Sequence, residues 1–219
     1  MTIRQNYERC LEEMCLAVLK LGTYVEGAVR KALAGFLNQE VTVAEQILGG
    51  DDVVNRMQLA VEDMCVSLIA REQPVAGDLR RIVATTKVAS NLERIGDHAV
   101  HLAKATKRLA GTPYHRSVVT IRKMGEQGAA MVHSAVDAYM SGDGKAAREV
   151  AALDDNIDSM HGALIEELLR TMHENEQQIE MATSLLFVSR FLERLGDHVV
   201  NICEWIVYGA EGAHVELNN

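Results

Sequence analysis

An internal repeat is the feature that most constrains the fold of this chain. The segment Glu93–His98 reads ERIGDH and Glu193–His198 reads ERLGDH, so five of six positions are identical at an offset of 100 residues. Shorter matches recur at an offset of 103 residues: Lys20-Leu21-Gly22 with Lys123-Met124-Gly125, and Asp51-Asp52 with Asp154-Asp155. The chain therefore contains two copies of one unit. The change of offset places three extra residues of the first copy near Gln73–Asp78.

Each copy has the pattern of three long helices. Apolar residues recur at helical spacing in six stretches of roughly 25–35 residues, separated by short polar or glycine-containing segments. Two prolines and 4% aromatic residues are too few for an all-β fold, which needs frequent turns. We predict an all-α protein made of two tandem three-helix bundles, with six long antiparallel helices. The predicted units are 1–110, 111–210 and a polar C-terminal tail, 211–219.

Local motifs predict where individual helices begin. Thr42-Val43-Ala44-Glu45 has the form of a capping box, so one helix should end near Asn38 and the next should begin near Val43. Thr112-Pro113 combines an N-cap residue with proline at the first helical position. Gly49-Gly50 is unfavourable inside a helix, which predicts a kink or a close approach just before Asp51.

Composition excludes several classes of function. The 219 residues include 22 Lys+Arg and 31 Asp+Glu, a formal net charge of −9, and they form no basic stripe, so nucleic-acid binding is not expected. No stretch approaches the roughly 18–20 apolar residues of a membrane span, and the N-terminal residues lack the apolar core of a signal peptide. We therefore expect a cytoplasmic protein whose four cysteines are reduced and mostly buried.

The repeated motif places two carboxylates on one line of a helix. Residues four apart are neighbours on a helix surface, so Glu93 lies beside Asp97, and Glu193 lies beside Asp197. Like charges at this spacing repel each other, and a fold stabilised only by packing gains nothing from repeating them. One more step of four reaches a further nitrogen or oxygen donor in each copy, His101 in the first and Asn201 in the second.

The preceding helix of each copy carries a matching line of polar residues. In the second copy these are Asp154, Asp158 and His161, and in the first copy Asp51 is followed by Asn55. Antiparallel packing of the two helices can bring Asp154 and Asp158 to Glu193 and Asp197. Four carboxylates around a small volume form a hard-oxygen site for a divalent or ferric ion. The first copy has less negative charge, with Asn55 where the second has Asp158, but it has His101 where the second has Asn201.

Two other interpretations stay open at this point. A Glu-x-x-x-Asp pair is common on a solvated helix face, and duplication can carry an inert motif along. The carboxylate clusters alone would also permit a helical di-metal enzyme, an oxidase or a hydrolase. Ferritin-like oxidases use Glu-x-x-His from two helices, whereas this chain has that spacing only at Glu211–His214, in the polar tail. The sequence lacks the phosphate-binding loop and the nucleophile and zinc-protease motifs of common enzymes.

Taken together, the residues resemble those of the PhoU family of bacterial phosphate-uptake and phosphate-signalling regulators. The resemblance covers nearly the whole chain. Its most specific segments are Gln73–Arg81 (QPVAGDLRR), Leu92–His98 (LERIGDH) and Leu192–Ile202 (LERLGDHVVNI).

The resemblance implies a fold and a role. PhoU-like proteins are tandem three-helix bundles, usually homodimeric, and are not known as enzymes. They are thought to regulate the phosphate regulon negatively. In that role they couple the ATPase subunit of the inner-membrane phosphate ABC transporter to a phosphate-sensing histidine kinase, so they would lie at the membrane only through these partners.

The resemblance also implies metal ligands at matching positions. Members bind iron, zinc, manganese or magnesium through (Glu/Asp)-x-x-x-Asp motifs on paired helices. By position, the second site would use Asp154, Asp158, Glu193 and Asp197, and the first site Asp51, Glu93 and Asp97. Weaker candidates are His101, His161 and Asn201. This chain departs from the family at Asn55, where Asp is usual, and at His101, where Asn is usual, so the first site is the less secure of the two.

Overall fold

The computed structural model describes residues 3–218, and within them the side chains of Ile3, Arg4 and Asp51 are outside the description. The first copy contains four helices: α1 (Ile3–Leu37), α2 (Val41–Leu48), α3 (Asp51–Glu72) and α4 (Ala76–Arg108). The second contains α5 (Val118–Ser141), α6 (Gly144–Ala151), α7 (Asp154–Glu174) and α8 (Ile179–Glu211), with a one-turn 3₁₀ helix at Glu176–Gln178. Over the described range the protein is all-α, as predicted.

The six predicted long helices are present, but the second helix of each copy is broken near its start. Gly49-Gly50 separates α2 from α3, as the glycine pair predicts. The break between α6 and α7 falls at Ala152-Leu153, where nothing in the local sequence predicts it. There the side chain of Gln127 donates to the carbonyl of Leu153 at 2.6 Å, so the break is satisfied by the neighbouring helix α5.

The capping box at Thr42 and the helix start at Pro113 are wrong. The second helix begins at Val41, after Glu40, and no side chain caps it, so Thr42 lies in its first turn. Helix α5 begins at Val118 instead of Pro113. The intervening segment stays outside the helix, where the Tyr114 ring stacks on Phe36 at 5.1 Å and its hydroxyl donates to the Phe36 carbonyl at 2.8 Å.

One apolar core runs through both copies. Helices α4 and α8 pack against each other along the centre, and α1 and α5 pack beside them. The apolar face that helical spacing gives to α4 is fully buried: Val88, Ala89, Leu92, Ile95 and Ala99. Burial of this face places the carboxylates of the repeated motif at the edge of the core, where α3 and α7 cover it.

Two further features bear on function. Among the described residues, none of the helices is apolar over a length that could cross a membrane. Helix α8 ends at Gly212, whose φ of 78° lies in the left-handed region that favours glycine. The chain reverses there, and the tail after Gly212 runs back along α8.

Candidate metal centre

The packing of α7 on α8 gathers the four carboxylates predicted for the second site. Burial is the largest cause that raises the pKa of Asp154, to about 7. The negative charges of Asp158, Asp197 and Glu193 raise it further. The pKa of Asp158 and that of Glu193 are also raised, in each case by burial first and by Asp197 next. The four groups therefore act on one another as one cluster.

Asp154 is the most unusual member of this cluster. Its side chain is fully buried, and neither carboxylate oxygen makes a hydrogen bond of ordinary geometry, although the Asn218 amide lies close enough to lower its pKa. Gly196 of α8 makes room for it, since a Cβ at that position would overlap Asp154 Oδ1 and lie 3.0 Å from Cγ. A buried, unpaired carboxyl group is costly unless a proton or a cation neutralises it.

The other three carboxylates differ in their surroundings. Glu193 Oε1 pairs with the Arg190 guanidinium, while Oε2 is buried and makes no hydrogen bond. Asp197 is half-buried, and its Oδ1 accepts a hydrogen bond from the Asn218 amide at 3.3 Å. Asp158 is exposed. The cluster thus extends from a dry interior at Asp154 to solvent at Asp158.

The first site is arranged differently. Arg94 Nε lies 3.5 Å from Glu93 Oε2, and Arg94 Nη1 lies 3.5 Å from Asp97 Oδ2. The Asp97 side chain is 36% exposed, and the predicted ligand Asp51 falls among the side chains outside the description. Glu93 and Asp97 are thus compensated by an arginine of their own helix.

Of the three weaker candidates, His161 lies close enough to Asp158 for the two groups to shift each other's pKa. His161 Nδ1 is 3.1 Å from Ser189 Oγ, and that hydroxyl itself donates to the Leu186 carbonyl. The His101 ring stacks on Phe191 at 4.4 Å, across the boundary between the two copies. Asn201 is exposed. None of these placements tests whether the residue binds metal.

The histidines of the two motifs also face the boundary between the copies. His98 and His198 have ring centroids 5.5 Å apart. His198 Nδ1 lies 3.0 Å from Asn91 Oδ1, whereas both ring nitrogens of His98 are buried without a hydrogen bond. Burial lowers the pKa of His98 to about 3. Both rings therefore lie at the contact between α4 and α8.

The second cluster suits a hard metal ion in its chemistry. Its donors are oxygens, and Asp154 together with Glu193 Oε2 supplies buried acceptors that lack a donor. Across the side chains that the structure describes, no three acidic, imidazole or thiol groups already form a cage for one ion. The cluster is therefore a set of donors with an unmet need for positive charge, and the first site shows no such need among its described residues.

Two members of this region escaped the sequence analysis. Asn218 reaches the cluster only because the tail folds back, and no local pattern signals that. Arg190 lies three residues before Glu193, a spacing that places both side chains on one helix face and that could have predicted their ion pair.

Comparison with known proteins identifies relatives over the whole length of the chain. The family model described as PhoU domain matches residues 18–106 and again residues 121–206. The phosphate-specific transport system accessory protein PhoU homolog of Clostridium acetobutylicum is 38% identical over 217 residues, 99% of each chain. The phosphate-specific transport system accessory protein PhoU of Escherichia coli K12 is 31% identical over 202 residues, which cover 92% of this chain and 84% of that protein.

Solved structures agree with these sequence relatives. The crystal structure of PhoU from Pseudomonas aeruginosa matches with a TM-score of 0.91 at 33% identity, covering 94% of this chain and all of that one. The phosphate transport system regulatory protein PhoU from Streptococcus pneumoniae matches with a TM-score of 0.91 at 30% identity, covering 96% and 99% of the two chains. Both matches support the repeated helical bundles described above.

Proposed function

The chain belongs to the PhoU family, and on this basis we propose that it is an accessory protein that regulates a phosphate-specific transport system. The single observation that carries the proposal is the match of the PhoU domain to both copies of the repeat. Relatives matched over nearly the whole chain are named as accessory or regulatory proteins of phosphate transport. Its role is regulatory and not enzymatic, so the di-metal enzyme considered from the carboxylates is set aside.

The finer proposal concerns metal. Asp154, Asp158, Glu193 and Asp197 would hold a divalent or ferric ion, with iron, zinc, manganese and magnesium as candidates. The support is the orphaned, buried Asp154 beside three other carboxylates. A bound ion would supply the positive charge that this cluster lacks. Glu93, Asp97 and Asp51 would form a weaker site, because Arg94 already compensates the first two.

A second finer proposal concerns partners. The protein would work in the cytoplasm as a homodimer, linking the transporter ATPase subunit to a phosphate-sensing histidine kinase and restraining the phosphate regulon when phosphate is plentiful. Support comes from the names of the relatives, which place PhoU proteins with a transport system. Helix α8 also presents Phe187, 55% exposed, on its outer surface, where a protein partner could cover it.

Elemental analysis tests the metal proposal. Protein purified without chelator or affinity metal should carry an ion that Asp197→Ala loses, because the substitution removes a carboxylate from the cluster. Asp155→Ala, an exposed neighbour on α7, is the matched control and should retain the ion. Equal metal content in wild type and Asp197→Ala, or none in either, would contradict a site at these residues.

A genetic test addresses regulation. Deleting the gene should derepress phosphate-starvation genes in phosphate-rich medium, and the wild-type gene should restore repression. Asp197→Ala should restore it poorly if metal is needed. Full repression by Asp197→Ala, with its metal lost, would separate regulation from the ion. No derepression on deletion would contradict the regulatory role itself.

A further inference from the structure

The C-terminal tail is anchored along α8 by several independent contacts. The His214 ring stacks on Tyr208 at 4.2 Å and meets the edge of Trp205 at 5.7 Å. The backbone N–H of Leu217 donates to Glu204 Oε1 at 2.9 Å, and the Leu217 side chain packs against the core. These contacts hold an extended segment that has no secondary structure of its own in one position.

The anchored tail ends on the carboxylate cluster. Asn218 Nδ2 donates to Asp197 Oδ1 at 3.3 Å, and the same amide lowers the pKa of the buried Asp154. An amide N–H carries partial positive charge and occupies an acceptor that a cation would use. A cation and this N–H therefore compete for the same oxygen and repel each other.

Within the described residues, the first copy has no equivalent cover at its motif. The chain after α4 continues into α5, and its connecting segment packs on the end of α1. There Tyr114 stacks on Phe36, and the Gln39 side chain donates to the Thr112 carbonyl at 2.6 Å. The segment that follows the repeated motif is thus directed away from Glu93 and Asp97. Among the described side chains, the second copy alone combines a fully buried aspartate with a segment of the chain laid across its cluster.

We propose that residues 213–218 form a strap that closes the second carboxylate cluster, and that a cation must displace the Asn218 amide to bind there. The strap sets the affinity of the cluster for cations and links its occupation to release of the C-terminal tail. The cation half of this inference rests on the metal site proposed above, whereas closure of the cluster by the tail does not.

The test measures Mn²⁺ affinity in the full-length chain. Leu217→Ser weakens the apolar anchor and Asn218→Ala removes the competing donor, and neither changes the charge near the cluster. Each should tighten Mn²⁺ binding by about 2- to 10-fold, the value of one hydrogen bond, as measured by the electron paramagnetic resonance signal of the free ion. Ala213→Ser, an exposed and neutral change in the same segment, is the control and should bind as wild type does.

Hydrogen exchange of the C-terminal peptide reports the strap itself. Exchange should be faster in Leu217→Ser than in wild type, and faster in wild type when Mn²⁺ is bound. If exchange shows that the strap is released while Mn²⁺ affinity stays the same, the proposal is wrong. Weaker Mn²⁺ binding in Asn218→Ala would also overturn it, because the amide would then act as a ligand instead of a competitor.

Failure of the metal site can be told apart from failure of the strap. If Asp197→Ala binds Mn²⁺ as wild type does, the ion is elsewhere and the metal site is wrong. Whether the strap covers the cluster is then tested in metal-free protein by the rate at which a carbodiimide labels Asp197. Faster labelling in Leu217→Ser than in Ala213→Ser supports the strap, and equal labelling overturns it.

Discussion

The two copies share a backbone and a carboxylate motif, but they differ at the glycine of that motif. In the second copy Asp154 enters the space at Gly196. In the first copy, among the described side chains, the nearest group to a Cβ at Gly96 would be Val54 Cγ1, at 3.1 Å. Among the described side chains, the nearest neighbour of the motif glycine is thus apolar in the first copy and a carboxylate in the second.

The first copy instead contains a cavity of about 380 Å³ beside its motif, between α1, α2, α3 and α4. Its lining includes Gly50, Val54 and Ala99. The repeat places the larger Leu153, Ile157 and Val199 at the corresponding positions of the second copy. The comparison teaches that small side chains leave space near one motif, whereas the other motif is closely packed around a buried acid.

Replacing the glycine of each motif by alanine should give the largest difference in stability between the two copies. Gly196→Ala forces a Cβ onto the Asp154 carboxylate and should lower the free energy of unfolding by about 2–3 kcal/mol, as overpacking does. Gly96→Ala meets, among the described side chains, the two Val54 methyl groups at 3.1 and 3.4 Å, and the helix preference of alanine, about 1 kcal/mol, offsets these contacts. Urea denaturation of both variants measures the difference. Equal losses would show that the two approaches are equally tight.

Removing the buried charge of Asp154 should have the next largest effect on stability. The pKa of Asp154 is raised to about 7, so its protonated form fits the fold and the stability it allows is lost as pH rises from about 4 through 7. In chelator-treated protein, Asp154→Asn should therefore raise the free energy of unfolding by about 1–2 kcal/mol at pH 8 and by little at pH 4. The exposed Asp155→Asn is the control and should show no such pH dependence.

The two motif histidines offer a smaller test, in acid. The pKa of His98 is lowered to about 3, mainly by burial. Below about pH 6.5 the unfolded chain takes up a proton that the folded chain does not. The free energy of unfolding therefore decreases as the pH is lowered. His98→Phe should reduce the loss of stability between pH 7 and pH 5 by about 1 kcal/mol. His198→Phe should reduce it less, since that ring hydrogen-bonds with Asn91. The reverse order in thermal melts would contradict this account.

The smallest effects on stability should come from two ion pairs. One joins the short helix α6 to the end of α8, and the other joins the short helix α2 to the end of α4. Arg148 forms a bidentate pair with Glu211 at 2.6 and 2.8 Å, and the corresponding pair in the first copy, Lys107 with Glu45, has the opposite polarity at 3.3 Å. The four side chains are 38–59% exposed, so solvent screens each pair and it contributes little. Arg148→Ala should lower the melting temperature slightly, and more than Lys107→Ala does. Addition of salt should reduce the difference.

The sequence predicted much of this molecule because its signals are local or repeated. The apolar face of α4 follows from helical spacing, and the gathering of Asp154 with Glu193 and Asp197 follows from residues four apart on two antiparallel helices. The break at Ala152-Leu153 has no signal in its own residues, and only the repeat, which aligns it with Gly49-Gly50, could have predicted it. The start of α5 was misplaced because a contact with Phe36, far away in the chain, outweighs the local preference of Pro113.

The sequence by itself determined the helical class, the duplication and the residue types available at each motif, because periodicity, repetition and chemistry are properties of the chain. Only the tertiary structure decided which of these equivalent residues are buried. Asp154 is enclosed while Asp158 is exposed, and Asn218 reaches Asp197 across 21 positions of sequence. Burial and long-range contacts depend on how the helices and the tail pack together, and that packing makes the two copies of one motif chemically different.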